Sequence, residues 1–250
     1  MPQDLSYLRF PSVRGNTIAF VADDDIWLAS FAGGVARRLT SDRAPASHPR
    51  LSPDGSLVAY TNRRDGNPEV YVVSTAGGEV LRLTYLSDSY TRTIGWTADG
   101  RVLIITAAGE PFGSRTWAWA IPAEGGPGER LGYGPLTSIS RGPDGMVVLG
   151  VNQSPHRGAA WKRYRGGTAA ALWIDRTGRG AFERYLADVR GQLEDPCFVD
   201  ERIAFVSDHE GVGNLYSALP DGSDLRRHSD HSDFYARAAS GDGRRSVGSY

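Results

Sequence analysis

The sequence predicts an all-β protein: a β-propeller of four-stranded antiparallel blades, of the six-bladed type, with the sixth blade truncated. Three observations predict it. A turn-and-strand unit repeats at a fixed spacing. Each repeat carries its strands and glycine turns in the same order. No stretch holds the i, i+3, i+4, i+7 spacing of an amphipathic helix.

The spacing is set by three copies of one turn. Pro53-Asp54-Gly55 leads into Leu57-Val58-Ala59-Tyr60, and Ala98-Asp99-Gly100 into Val102-Leu103-Ile104-Ile105. Pro143-Asp144-Gly145 leads into Met146-Val147-Val148-Leu149, so the glycines stand at 55, 100 and 145. Asp200-Glu201 before Ile203-Ala204-Phe205-Val206 is a weaker copy, and Gly241-Asp242-Gly243 a last one. Asp-Gly turns tightly because glycine tolerates positive φ, and a β-branched or aromatic run after it reads as a strand. A second run follows in each unit, as in Asp25-Ile26-Trp27-Leu28, Glu69-Val70-Tyr71-Val72 and Leu172-Trp173-Ile174. A glycine turn comes next (Gly33-Gly34, Gly77-Gly78, Gly125-Gly126), then a short closing run such as Arg37-Arg38-Leu39-Thr40 or Leu81-Arg82-Leu83-Thr84. Four short strands per ~40–50 residues is the period of a propeller blade. The blades fall at 7–40, 46–84, 90–131, 136–187 and 193–228, with a partial sixth at 234–250 cut off inside its second strand. Ala181 to Val189 could pass for helix but matches the closing strand of the fourth unit. With five complete blades in a six-bladed ring, blades one and five are expected to lack a full neighbour. Phe20, Ile26 and Leu28 are expected on the uncovered side of blade one.

Composition narrows the function. Forty per cent hydrophobic and 23% charged residues describe an ordinary globular chain, and a net charge of −1 supplies no field for nucleic acid or an anionic membrane. Arginine carries almost all the positive charge, with Lys162 the sole lysine. The single cysteine, Cys197, excludes an internal disulfide and suits a reducing compartment. The first ten residues lack a basic start with an apolar stretch, and no run nears the ~18 apolar residues of a membrane helix.

A complete catalytic site is not expected. Gly-x-Ser-x-Gly is absent, and a triad needs a histidine close to a serine in space. His48, before Pro49, and His156, beside Pro155, read as polar loop residues. The His228-Ser229-Asp230-His231-Ser232-Asp233 run is the densest set of metal-ligand types, but it lies between blades five and six, where these residues make ordinary turns. It is read as a turn, with no metal expected. No phosphate-binding glycine motif opens a helix, and no cofactor is expected. Trp161, Tyr164, Arg163 and Arg165 lie in a longer insertion in blade four. Inserted loops on rigid scaffolds often carry binding, so Trp161, Arg163 and Arg165 are substrate-binding candidates against a purely packing role.

Two longer stretches go beyond the repeat. One is Tyr7-Leu8-Arg9-Phe10-Pro11 through Ile18-Ala19-Phe20-Val21, Asp24-Asp25-Ile26-Trp27-Leu28 and Ala36-Arg37-Arg38-Leu39-Thr40. The other is Trp161-Lys162-Arg163-Tyr164-Arg165-Gly166-Gly167-Thr168, followed by Leu172-Trp173-Ile174-Asp175. With Asp208 to Tyr216 and Asp221 to His228, they resemble the N-terminal six-bladed propeller of the tricorn protease family. The resemblance implies a large cytoplasmic serine-type peptidase that degrades oligopeptides downstream of the proteasome. It implies further that this segment scaffolds and gates passage, while catalytic and PDZ-like domains lie outside residues 1–250. The implied partners are oligopeptides, the remaining domains of the polypeptide and, for the full-length protein, further copies of itself. The family's use of basic propeller residues to hold peptide C-termini makes Arg92, in the loop from Leu86 to Thr93, a further candidate. The alternative is a stand-alone propeller for protein–protein interaction, similar to TolB-like proteins, which share the turn at Ser52 to Gly55. The missing export signal counts against it.

Overall fold

The computed structural model describes residues 7–113, 115–152 and 162–249. Its strands form five four-stranded antiparallel sheets and one two-stranded sheet. The first sheet is β1 (Arg9–Arg14), β2 (Thr17–Ala22), β3 (Asp25–Ser30) and β4 (Arg37–Arg38). The second is β5 (Ala46–Leu51), β6 (Leu57–Asn62), β7 (Glu69–Ser74) and β8 (Leu81–Arg82). The third is β9 (Arg92–Trp96), β10 (Val102–Thr106), β11 (Trp117–Ile121) and β12 (Glu129–Arg130). β13 (Ser138–Arg141), β14 (Val147–Val151), β15 (Ala171–Asp175) and β16 (Glu183–Tyr185) make the fourth. β17 (Leu193–Val199), β18 (Arg202–Ser207), β19 (Asn214–Ala218) and β20 (Arg226–Arg227) make the fifth. β21 (Ala238–Gly241) and β22 (Ser246–Ser249) pair as the two-stranded sheet.

Each sheet is a simple meander, so its strands run in chain order from the inner edge outwards. Inner strands touch their neighbours around a ring: β1 meets β5, β5 meets β9, β9 meets β13, β13 meets β17, β17 meets β21, and β21 returns to β1. The fold is therefore a propeller with five four-stranded blades, not six. The two-stranded sheet stands between the first and fifth. The turn glycines Gly55, Gly100 and Gly145 have φ of 77°, 85° and 77°, the region that costs glycine least. The stretch 181–189 holds the closing strand β16, not a helix.

Burial follows the alternation of strand side chains. Ala19, Val21, Ile26 and Leu28 of blade one pack with Val58, Tyr60, Tyr71 and Val73 of blade two. Val70, Val72 and Leu83 meet Val102, Ile104 and Ile121 between blades two and three. Leu103 and Ile105 meet Ile139 and Leu149 at the next interface. Leu172 and Ile174 meet Ile203 and Phe205 at the one after. Burial of each such large side chain contributes about 1.5–3 kcal/mol, which makes these interfaces the main source of stability.

The expected uncovered face of blade one needs correction. Leu28 pairs with Ala19 and Ile26 with Val21, so all four share the face that meets blade two. Phe20 pairs with Trp27 on the opposite face and is itself buried. The two-stranded sheet closes this side with polar contacts as well as packing. The Gly15 N–H donates to Asp242 Oδ2 at 2.9 Å, Arg14 donates to the Asp242 carbonyl, and Arg245 donates to the Gly15 carbonyl. On the blade-five side, Val199 bridges to Gly243, and the Asp200 N–H donates to the Gly243 carbonyl at 2.7 Å. Val206, Ala236 and Ala239 form a small cluster there.

Candidate functional site: the axial channel

Inner strands face the propeller axis, so the side chains they aim inward define what the ring can hold. Three of these strands carry the same local defect. In β1 the register slips between Arg9 and Ser12, in β5 between Ser47 and Arg50, and in β17 between Glu194 and Cys197. Each slip is a two-residue bulge ending in proline: Phe10-Pro11, His48-Pro49 and Asp195-Pro196. Proline has no N–H to lose from a ladder, which suits it to a bulge. The residue before it takes φ of 51° at Phe10, 50° at His48 and 49° at Asp195. Such left-handed backbone costs of order 1–3 kcal/mol at a non-glycine residue and re-aims its side chain. All three residues border the same cavity at one end of the axis.

That cavity, of about 240 Å³, holds Arg92, Glu194 and Arg237 beside the bulged residues. A larger one of about 470 Å³ adjoins it and is lined by Arg14, Trp96, Arg141, Cys197 and Asp242 among others. Arg50, Ile94, Ser138 and Asp195 border both, and so form the neck between them. The Phe10 and His48 rings pack with centroids 4.1 Å apart, tilted by 32°. Arg50 donates to the carbonyls of Pro49 at 2.9 Å and Ile94 at 3.3 Å. Arg92 donates to the Thr137 carbonyl at 2.6 Å, and Asn152 donates to Glu194 at 2.8 Å. Burial lowers the pKa of both Arg50 and Arg92, partly offset by Asp195. Burial raises that of Asp195, partly offset by Arg50 and Arg92. The Cys197 thiol is pushed up to about 12 by burial, with the Asp195 charge adding to it, so it stays protonated.

The three described candidates from the sequence do not converge. Arg92 lies in the channel, at the start of β9. Arg163 and Arg165 lie on the insertion and close it onto blade five. Arg165 reaches Asp208 Oδ1 at 2.9 Å and the Asp208 carbonyl at 2.7 Å. The Arg163 backbone N–H donates to Asp208 Oδ2, and its side chain donates to the Gly211 carbonyl. Trp161 lies outside the described residues. His48, read from sequence as a loop residue, sits in β5 and lines the channel. In the 228–233 run, His228 contacts Ser217 Oγ at 2.7 Å, Arg227 pairs with Asp230, and the His231 N–H donates to Asn214. These are turn contacts. Sequence reasoning missed Arg50 and Asp195. The recurring residue-proline pair in three inner strands is the signal that could have found them.

A ring of antiparallel sheets around a charged axial channel defines the class: a β-propeller domain whose distinctive chemistry lies on its axis. Residues 5–247 match the tricorn protease N-terminal beta propeller domain. Tricorn protease homolog 1 of Streptomyces coelicolor is 50% identical over 246 residues, which cover 98% of this chain and 23% of that protein. Tricorn protease of Thermoplasma acidophilum is 34% identical, over 94% of this chain and 22% of that protein. The crystal structure of the tricorn protease superposes with a TM-score of 0.85 at 32% identity, covering 98% of this chain and 24% of that one. The chain belongs to the tricorn protease N-terminal β-propeller family. It spans less than a quarter of the length of these relatives.

Proposed function

We propose that this chain is the N-terminal propeller segment of a tricorn-like serine-type peptidase that degrades oligopeptides in the cytoplasm. The segment scaffolds the assembly and gates passage of substrate or product, and is not itself catalytic. In this reading β21 and β22 are the inner half of a sixth blade. Residues 1–250 form one propeller domain, and catalytic and PDZ-like domains belong to other parts of the polypeptide. The full-length protein is a homo-oligomer. The observation that carries the reading is the axial channel, with basic and acidic side chains placed along a route through the ring. Arg92 is the candidate for contact with peptide carboxylates, since a guanidinium fork matches a carboxylate. Among the described residues no helix is long and apolar enough to cross a membrane.

The test is to narrow the channel in the full-length peptidase. Gly95 borders the larger cavity and a Cβ there meets nothing nearer than Leu103 Cδ1 at 3.9 Å, so Gly95→Trp is the substitution that adds bulk to the channel. Steady-state turnover of a fluorogenic oligopeptide is expected to fall about tenfold or more, a barrier change of ~1.4 kcal/mol. Titration of the active-site serine should stay unchanged. Turnover at the parent rate would overturn the gating role.

A further inference from the structure

The neck carries an electrostatic arrangement that the fold leaves incomplete. Arg50 and Asp195 are the two charged residues among those described that border both cavities. Both are half-buried and face the channel. Each feels the other's charge, yet among the described residues no ion pair within 4.0 Å includes either of them. Arg50 donates to main-chain carbonyls, which neutralise no charge.

A charge partly removed from water is costly unless a partner neutralises it. Here they stand on separate bulged strands, β5 and β17. Asp195 is fixed by its left-handed bulge, and Arg50 follows the bulge at His48-Pro49. Strain maintained at two inner strands, with opposite charges kept beyond contact across a solvent-accessible gap, is the form a preorganised binding site takes. A bare anion at Arg50 would face the Asp195 carboxylate, and a bare cation at Asp195 would face the guanidinium. A molecule with a carboxylate at one end and an ammonium at the other satisfies both.

We propose that the channel neck binds a small zwitterion, a free amino acid or a dipeptide, with its carboxylate on Arg50 and its ammonium on Asp195. The cavities on either side of the neck leave room for the side chains such a ligand carries, which predicts recognition of the charged ends with little discrimination between side chains. The proposal takes from the peptidase reading only its choice of a dipeptide as probe.

The experiment is calorimetric titration of this chain with Ala-Ala. Acetate and ethylammonium serve as half-ligands, and N-acetyl-alanine amide as the uncharged control. Ala-Ala is expected to bind at least about tenfold more tightly than either half-ligand, and the uncharged control not to bind. Arg50→Gln and Asp195→Asn should each remove that advantage. Asp195→Asn keeps the side-chain shape and relieves a buried charge, so it tests the proposal even if Arg50→Gln fails to fold. No heat with Ala-Ala overturns the proposal. So does acetate binding as tightly as Ala-Ala, or Ala-Ala binding unaltered by Asp195→Asn. None of these outcomes changes the turnover expected of full-length Gly95→Trp, so the two readings fail separately.

Discussion

At the scale of single residues, Asp195 shows what the axis demands of a side chain. Burial raises its pKa above the unfolded value of 3.8 by more than Arg50, Arg92 and the Ala239 N–H lower it. The ionised form is therefore disfavoured in the fold. For a pKa raised on folding, the group's contribution to stability is fully present below 3.8 and is lost as pH rises through the folded value. At neutral pH the charge is a net cost. Asp195→Asn, measured without ligand, should raise the melting temperature at neutral pH by about 2–4 °C, the response of a chain this size to ~1 kcal/mol. The gain should shrink as the pH is lowered towards 3.8. A lower melting temperature for Asp195→Asn at neutral pH would show that the carboxylate is a structural partner instead.

At the scale of the blade, one latch recurs and explains why the closing runs read Arg-x-Thr. In blade one the Thr40 hydroxyl donates to Asp25 and accepts from the Ile26 N–H, while Arg38 pairs with Asp25 and donates to the Thr40 carbonyl. In blade two Thr84, Glu69, Val70 and Arg82 repeat every one of these contacts. Blade five keeps the geometry with Ser229, Asn214, Leu215 and Arg227, an amide replacing the acid. The latch ties the short outer strand to the start of the third, where two ladder pairs alone would hold it weakly. Glu69 is 1% exposed, so loss of its hydroxyl partner leaves a buried acceptor undersatisfied. Thr84→Val should cost about 1–3 kcal/mol in urea unfolding. Thr84→Ser, which keeps the hydroxyl, should cost clearly less. Equal losses would mean that packing of the methyl group, not the latch, holds the strand.

At the scale of the whole molecule, the ring has one seam that differs from its other interfaces. Four interfaces between successive blades each hold a broad apolar cluster, whereas the seam between β1 and the two-stranded sheet is tied by Asp242, Arg14, Gly15 and Arg245. The Asp242 pKa is lowered: burial pushes it up, but the N–H groups of Arg244, Arg245 and Gly15 and the Arg14 charge outweigh it. Its contribution is therefore present above the unfolded carboxylate value and lost as pH falls through the folded one. As the pH is lowered below 3.8, hydrogen exchange should rise first in 238–249 and at Gly15. Asp242→Asn should produce the same local rise at neutral pH, by about 1 kcal/mol of opening free energy. Uniform exchange around the ring would mean that the seam is no weaker than the blade interfaces.

The architecture was legible in the sequence because its causes are local. Asp-Gly turns, alternating β-branched runs and paired glycines act over a few residues, and their recurrence near 55, 100 and 145 marks successive blades. The runs that begin at Leu57, Glu69, Val102 and Ile203 lie in strands β6, β7, β10 and β18. The site was legible only at Arg92. Arg163 and Arg165 looked available on an inserted loop, but Asp208, which engages them, lies more than forty positions away in the next blade. Which face of blade one meets blade two was likewise not local, because strand alternation names two faces without saying which is covered. Arg50 and Asp195 border the same neck only because the ring brings β5 and β17 to it. Turns and strands follow from short-range sterics and so belong to the sequence. The channel and its charges follow from ring closure, which only the tertiary structure decides.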